Sequence, residues 1–60
     1  MPIITINIFK RPIEEKREMV KKITDAVVEV TGFKKEWVQI FFNEVKPENC
    51  AQGGKLSSDK

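Results

Sequence analysis

The amino terminus carries the residue with the clearest chemical potential, because the chain begins Met1-Pro2. A small residue such as Pro2 in second place normally permits removal of Met1, which leaves a prolyl secondary amine at the terminus. An apolar environment would lower the pKa of that amine towards neutrality, since burial disfavours the cation. The amine could then accept and return protons at physiological pH. The alternative interpretation is that Pro2 serves only methionine removal and protection of the terminus.

Other groups that carry protons near pH 7 are scarce in this sequence. It contains no histidine and no tyrosine, and its single thiol, Cys50, has no histidine to activate it as a nucleophile. The sequence shows neither a glycine-rich phosphate loop nor a cluster of metal-ligand side chains. It therefore favours chemistry at the terminal amine, and we expect no cofactor and no metal.

Two apolar segments and the residues between them must position this terminus. Residues 3–9 and 37–45 are rich in β-branched and aromatic side chains and predict two strands. One face of these strands carries Ile4, Ile6, Ile8, Val38, Ile40 and Phe42. The other face carries Ile3, Phe9, Trp37, Gln39, Phe41 and Asn43.

The intervening segment predicts a long amphipathic helix that starts at Pro12. Proline suits the first helical position, and Glu14 and Glu15 in the first turn interact favourably with the helix dipole. Gly32 is expected just beyond the carboxyl end of the helix. Apolar side chains recur along it at three- and four-residue spacing. They are Met19, Val20, Ile23, Ala26, Val27 and Val30.

Two strands joined by such a helix predict a parallel βαβ unit. Within residues 46–56, Gly53-Gly54 predicts a tight hairpin turn or a bulge. We therefore expect a single α+β domain over residues 1–60, with a βαβ unit and a short carboxyl-terminal hairpin. One helix covers only one face of a two-stranded sheet, so the opposite apolar face requires a partner subunit.

Size and composition also predict self-association. A chain of 60 residues rarely buries enough apolar surface to fold alone, and one cysteine excludes an intramolecular disulfide. The net charge of +2 comes from mixed acidic and basic side chains, so we expect no nucleic-acid partner. No run approaches the roughly 18 apolar residues of a membrane helix, and we expect no membrane contact. The lack of a leader-like start and the cysteine content favour a cytoplasmic location.

The sequence resembles the 4-oxalocrotonate tautomerase family over essentially its whole length. The resemblance rests on Pro2 at the head of a βαβ unit, on Glu15-Lys16-Arg17 near the start of the helix and on the segment from Asn49 to Lys55. It implies a small homo-oligomer, often a hexamer built as a trimer of dimers. It also implies that Pro2 moves a proton between an enol oxygen and a carbon, which yields the keto form.

The same resemblance implies roles for three more residues. Arg11, after a one-residue gap, matches an arginine that holds a substrate carboxylate; the alternative is a solvated arginine beside Lys10. Gln39 lies at the position of a second arginine and offers a hydrogen bond without charge; the alternative is a strand amide at a subunit interface. Cys50 falls near an aromatic residue of the pocket wall, so we expect a pocket-lining or buried thiol.

These residues predict a tautomerase acting on small 2-hydroxy-dienoates or enols of 2-keto acids. Pro2 is the expected acid–base group, and Arg11 of the same or a neighbouring subunit is the expected carboxylate anchor. Two alternatives remain at this point. One is a related proline-dependent decarboxylation or hydration, and the other is a non-enzymatic oligomeric module that binds a partner through its apolar sheet face.

Overall fold

A computed structural model describes residues 2–59 and contains a parallel strand pair, a long helix and a small hairpin. Strand β1 (Ile3–Ile8) is followed by helix α1 (Ile13–Thr31) and strand β2 (Gln39–Glu44). The short strands β3 (Ala51–Gln52) and β4 (Lys55–Leu56) form the hairpin. Single turns of 3-10 helix cover Lys35–Trp37, Pro47–Asn49 and Ser57–Asp59. The predicted α+β architecture is confirmed.

The parallel pairing of β1 and β2 runs in register from Ile3 opposite Gln39 to Ile8 opposite Glu44. Exposure alternates along both strands, as expected for a sheet with one covered face. The half-buried side chains are Ile4, Ile6, Ile8, Ile40 and Phe42. They form the layer on which α1 lies, and the predicted division of the two faces is confirmed.

Helix α1 begins one residue later than the sequence predicts. Pro12 has an extended ψ of 150° and precedes the helix, while its carbonyl accepts the N–H groups of Glu15 and Lys16 at 3.1 and 3.3 Å. Gly32 ends the helix in the left-handed conformation at a φ of 75°, as predicted. Of the described residues, none belongs to a helix with both the length and the apolarity needed to span a membrane.

The predicted apolar stripe of α1 needs a correction at its carboxyl end. Val30 is 83% exposed and Ala26 is also exposed, whereas Val28 is half-buried. A helix of 19 residues is about 28 Å long, and a six-residue strand is about 20 Å long. The last turn of the helix therefore extends beyond the sheet, which leaves Val30 uncovered.

The sheet face opposite the helix is open, as the sequence predicts. Ile3 is 65% exposed and Phe41 is 55% exposed, and Phe9 and Trp37 are exposed as well. Among residues 2–59, no side chain is fully buried. The radius of gyration is 14.8 Å, whereas about 10 Å is typical of a compact domain of this length. The described chain thus lacks a closed core of its own.

The carboxyl-terminal hairpin turns at Gly53 and Gly54, whose φ angles are 63° and 80°. Positive φ at both central positions is what a two-residue type I′ hairpin turn requires, so of the two predicted alternatives the structure has the hairpin turn. The Ser57 N–H donates to the Cys50 carbonyl at 2.8 Å, which extends the hairpin pairing by one residue on each side. Cys50 lines a cleft together with Ile8, the last residue of β1.

Candidate active site

The four residues predicted from the sequence fall into two groups within one chain. Pro2 and Gln39 lie at the amino ends of the parallel strands, whereas Arg11 and Cys50 lie at the carboxyl ends. Strands rise about 3.3 Å per residue, so the length of β1 separates the two groups by about 20 Å. The structure therefore joins Gln39 to Pro2 by a backbone hydrogen bond, whereas Arg11 and Cys50 lie at the other end of the sheet, so the four residues do not form one cluster.

At the amino ends, a backbone hydrogen bond fixes Pro2 beside β2. The Gln39 N–H donates to the Pro2 carbonyl at 3.0 Å, which extends the parallel pairing one residue before β1. Pro2 is half-buried, and Gln39 is exposed on the open sheet face. The predicted removal of Met1 lies outside the described residues. The roles of Pro2 and Gln39 remain predictions.

An aromatic cluster lies next to this end of the sheet. The rings of Phe33 and Trp37 have centroids 6.0 Å apart at an angle of 52°, and Lys34 Nζ lies 5.7 Å from the Trp37 ring centroid. Trp37 precedes Gln39 by only two residues, so the cluster lies just before the amino end of β2. Sequence reasoning recognised Trp37 as an exposed apolar residue but missed its pairing with Phe33. The sequence signal that could have indicated this pairing is the four-residue spacing of Phe33 and Trp37, just after Gly32.

At the carboxyl ends, Arg11 is held by Glu15 across the start of α1. Arg11 Nε donates to Glu15 Oε1 and Arg11 Nη2 donates to Glu15 Oε2, both at 2.7 Å. The hydrogen bond with Glu15 raises the pKa of Arg11 above its ordinary value, and the same bond lowers the pKa of Glu15. Sequence reasoning placed Glu15 in the first helical turn but missed this pair, although four-residue spacing could have indicated it.

A second ion pair joins the helix to the end of β2. Lys16 Nζ donates to the Glu44 carboxylate and also lies 5.6 Å from the Phe42 ring centroid. This hydrogen bond lowers the pKa of Glu44, and the positive charges of Lys16 and Lys10 add to the effect. This ion pair ties the first turn of α1 to the sheet, and Arg11 lies just before that turn.

Cys50 lines an apolar cleft of about 420 Å³ at the same end. The cleft is bounded by Asn7, Ile8, Phe9, Val45 and Cys50. Its polar edge is Asn7, whose Oδ1 accepts a hydrogen bond from Asn43 Nδ2 at 2.9 Å. A neighbouring cleft of about 540 Å³ is lined by Phe9, Lys10, Glu44, Val45, Lys46 and Pro47. A half-buried Cys50 at a cleft is consistent with the predicted pocket-lining role, which stays a prediction.

This geometry limits what a single chain can do. A small acid is far shorter than the distance of about 20 Å between the two ends of β1. It cannot contact Pro2 and Arg11 of the same chain at once. A site that uses both must combine the amino end of one sheet with the carboxyl end of another.

Comparison with known proteins assigns the fold to a family. The sequence matches the tautomerase enzyme family over residues 2–60. The chain belongs to the tautomerase family. This tautomerase is 38% identical over 60 residues to the 2-hydroxymuconate tautomerase of Bacillus subtilis strain 168, across 98% of this chain and 97% of that protein. It is also 38% identical over 61 residues to a probable tautomerase of Bacillus cereus, with full coverage of both chains.

Solved structures agree with the sequence match. The tautomerase chain superposes on the crystal structure of a 4-oxalocrotonate tautomerase homologue with a TM-score of 0.94 and 34% sequence identity. The superposition covers 100% of this chain and 97% of the homologue. The predicted resemblance is confirmed, and the protein is an enzyme of the 4-oxalocrotonate tautomerase type. This result favours the enzymatic interpretation over the non-enzymatic binding module.

Proposed function

We propose that Pro2, exposed as a free amine by removal of Met1, is the general acid and base of a keto–enol tautomerase. The substrates are small 2-hydroxy-dienoates or enols of 2-keto acids. The observation that carries this proposal is the position of Pro2, half-buried and hydrogen-bonded to β2, within a tautomerase family match over residues 2–60. Partial burial of Pro2 supports this role, because desolvation favours the neutral form of an amine.

The proposed reaction is an isomerisation in which no atom is gained or lost. The neutral Pro2 nitrogen takes the hydroxyl proton of the enol, and the electron pair of the broken O–H bond forms the C=O bond. The π electrons of the C=C bond then take the proton back from the prolinium at carbon. The same nitrogen thus acts first as a base and then as an acid, so the reaction requires no second proton carrier.

Arg11 and Gln39 are proposed to bind the substrate. Arg11 of a neighbouring copy holds a carboxylate through the two-donor geometry of its guanidinium. Gln39 or a backbone N–H donates to the oxygen on which charge develops. Cys50 lines the pocket in place of a larger aromatic residue. Because Gln39 brings no charge, the site suits substrates with a single carboxylate.

The proposed assembly is a homo-oligomer, a hexamer built as a trimer of dimers, in the cytoplasm. Three observations support self-association: the exposed Ile3 and Phe41 on the open sheet face, the absence of a fully buried side chain among residues 2–59, and the large radius of gyration. The distance between Pro2 and Arg11 within a chain adds a functional reason, since the substrate needs both groups.

The test begins with the intact mass of the purified protein, which shows whether Met1 has been removed. Pro2→Ala then replaces the secondary amine with a primary amine. We expect kcat/KM for the ketonisation of phenylenolpyruvate to fall by about tenfold or more, because acid–base groups typically contribute about 10²–10⁴-fold. Native mass spectrometry of the variant should show an unchanged oligomer. Retention of Met1 in the active enzyme, or equal activity of Pro2→Ala, would remove Pro2 from the mechanism.

A further inference from the structure

We propose that Glu15 is a specificity-determining residue that limits how strongly Arg11 binds a substrate carboxylate. It does so by occupying one of the two edges through which the guanidinium can hold an oxyanion. This inference rests on the proposed function of Arg11 as the carboxylate anchor.

The geometry of the pair identifies which edge is taken. A guanidinium can bind a carboxylate through Nε and Nη2, or through Nη1 and Nη2. Glu15 uses the first edge, with one carboxylate oxygen on Nε and the other on Nη2 at 2.7 Å each. An incoming carboxylate therefore meets the second edge, which is formed by Nη1 and the remaining N–H of Nη2. Glu15 fixes the orientation in which Arg11 is offered to the substrate.

The charge of Glu15 also weakens the attraction. The ion pair leaves the Arg11 site with no net charge, and a substrate carboxylate on the free edge is repelled by the Glu15 carboxylate across the same guanidinium. The side chains of Arg11 and Glu15 are 49% and 48% exposed, so water and salt screen this repulsion and keep it modest. Removal of the Glu15 charge should therefore strengthen binding of the substrate carboxylate, but by a smaller factor than removal of a buried charge would.

The pair is separable from the stability of the fold. Exposed ion pairs at four-residue spacing contribute little to helix stability, so loss of the Glu15 charge should leave α1 intact. Glu14 provides a matched control in the same helical turn. Within residues 2–59, Glu14 takes part in no ion pair. Glu14→Gln and Glu15→Gln therefore change the net charge equally, but only one of them affects Arg11.

The experiment compares wild type, Glu15→Gln, Glu14→Gln, Arg11→Ala and the double variant Arg11→Ala/Glu15→Gln. Steady-state kinetics use phenylenolpyruvate and its methyl ester, which lacks the carboxylate. For the acid, we expect Glu15→Gln to lower KM by about two- to fivefold with kcat within about twofold, because one repulsive charge is removed from an exposed site. Glu14→Gln should change KM by less than about twofold. The ester should respond to neither variant.

The double variant separates this inference from the proposed function. In the Arg11→Ala background, Glu15→Gln should lower KM by a smaller factor than in wild type, because no guanidinium then holds the substrate carboxylate beside Glu15. An effect of the same size there, or an effect equal to that of Glu14→Gln, overturns the inference while leaving Arg11 as the anchor. An unchanged KM in Arg11→Ala alone overturns the proposed role of Arg11 itself. Calorimetric titration with the non-reacting dicarboxylate adipate gives the same comparison without turnover.

Discussion

The two ends of the parallel strand pair differ in the groups that they offer a small acid. The amino ends hold Pro2, a neutral amide at Gln39 and an aromatic cluster around Trp37, linked by one backbone hydrogen bond. The carboxyl ends hold two ion pairs and two clefts. In the proposed mechanism, the first end supplies the group that transfers the proton, and the second end supplies the group that binds an anion.

Under the proposed mechanism, this difference leaves one chain without a complete site. A general base needs desolvation, whereas a carboxylate anchor needs charge, and the two requirements conflict within a site as small as one 60-residue chain. Here the requirements are met at opposite ends of the same strands. Contact between copies can then place the apolar end of one chain beside the charged end of another. Neither ion pair then has to be buried within a single chain.

The largest expected effect comes from preventing that contact. Phe41→Lys places a charge at the centre of the open sheet face, where Phe41 is 55% exposed in the single chain. We expect loss of the oligomer and a fall in tautomerase activity of at least about 100-fold, since burial of a lysine charge at an interface is strongly unfavourable. Native mass spectrometry and an enol-ketonisation assay measure the two effects.

Val30→Lys is the control for this prediction. Val30 is more exposed than Phe41, but it lies on the helix, away from the open face. The Val30→Lys variant should therefore keep both the oligomeric state and the tautomerase activity. If Phe41→Lys remained an active oligomer, the open face would not be the interface, and the two ends of the sheet would be joined in another way.

The fold could be predicted from the sequence because short-range patterns specify it. Alternation in residues 3–9, a helical period ending at Gly32 and the Gly53-Gly54 turn each correspond to an observed element. The boundaries were less accurate, since Phe9 and Trp37 lie outside the strands where turn geometry replaces pairing. Val30 was assigned to the packed face because periodicity does not reveal that a helix is longer than the sheet beneath it.

A second, intermediate effect concerns substrate choice. Gln39→Arg adds a cation at the amino ends of the strands, where the wild type has only an amide. A charge-assisted contact is commonly worth about 1.5–3 kcal/mol, so the ratio of kcat/KM for 2-hydroxymuconate over phenylenolpyruvate should rise by about tenfold or more. The wild type should use the monoacid well. Gln52→Arg, the same change in the exposed hairpin, should leave the ratio unaltered.

An unchanged ratio in Gln39→Arg would place the second anchor elsewhere. Lys34 lies over the Trp37 ring beside the same end of the sheet and would be the next residue to test. A wild type that already strongly prefers the dicarboxylate would point to the same correction. Either result would change the comparison between the two ends of the strand pair, because the amino ends would then supply charge as well as an apolar surface.

The candidate site was less predictable than the fold, for a physical reason. Side-chain pairs such as Arg11–Glu15 and Lys16–Glu44 depend on rotamers and on three-dimensional proximity, which no local pattern encodes for residues as distant as Lys16 and Glu44. The residue types of Pro2 and Arg11 could be interpreted from the sequence. Their separation by the length of β1 became evident only with the register of the strands.

The smallest expected effect tests how the charged end is held to the helix. Glu44 has a lowered pKa because Lys16 donates a hydrogen bond to its carboxylate. A carboxylate with a lowered folded-state pKa stabilises the fold above its unfolded pKa, and this contribution is lost as pH falls through the folded-state value. Glu44→Gln should therefore lower the melting temperature at pH 7 by no more than about 5 °C. The difference from wild type should shrink as the pH falls below about 4.5, the ordinary pKa of a glutamate.

Glu48→Gln, which removes a carboxylate that forms no ion pair within residues 2–59, should shift the melting temperature less. Equal shifts for the two variants at pH 7, or a difference that does not depend on pH, would show that the Lys16–Glu44 pair does not tie the helix to the sheet.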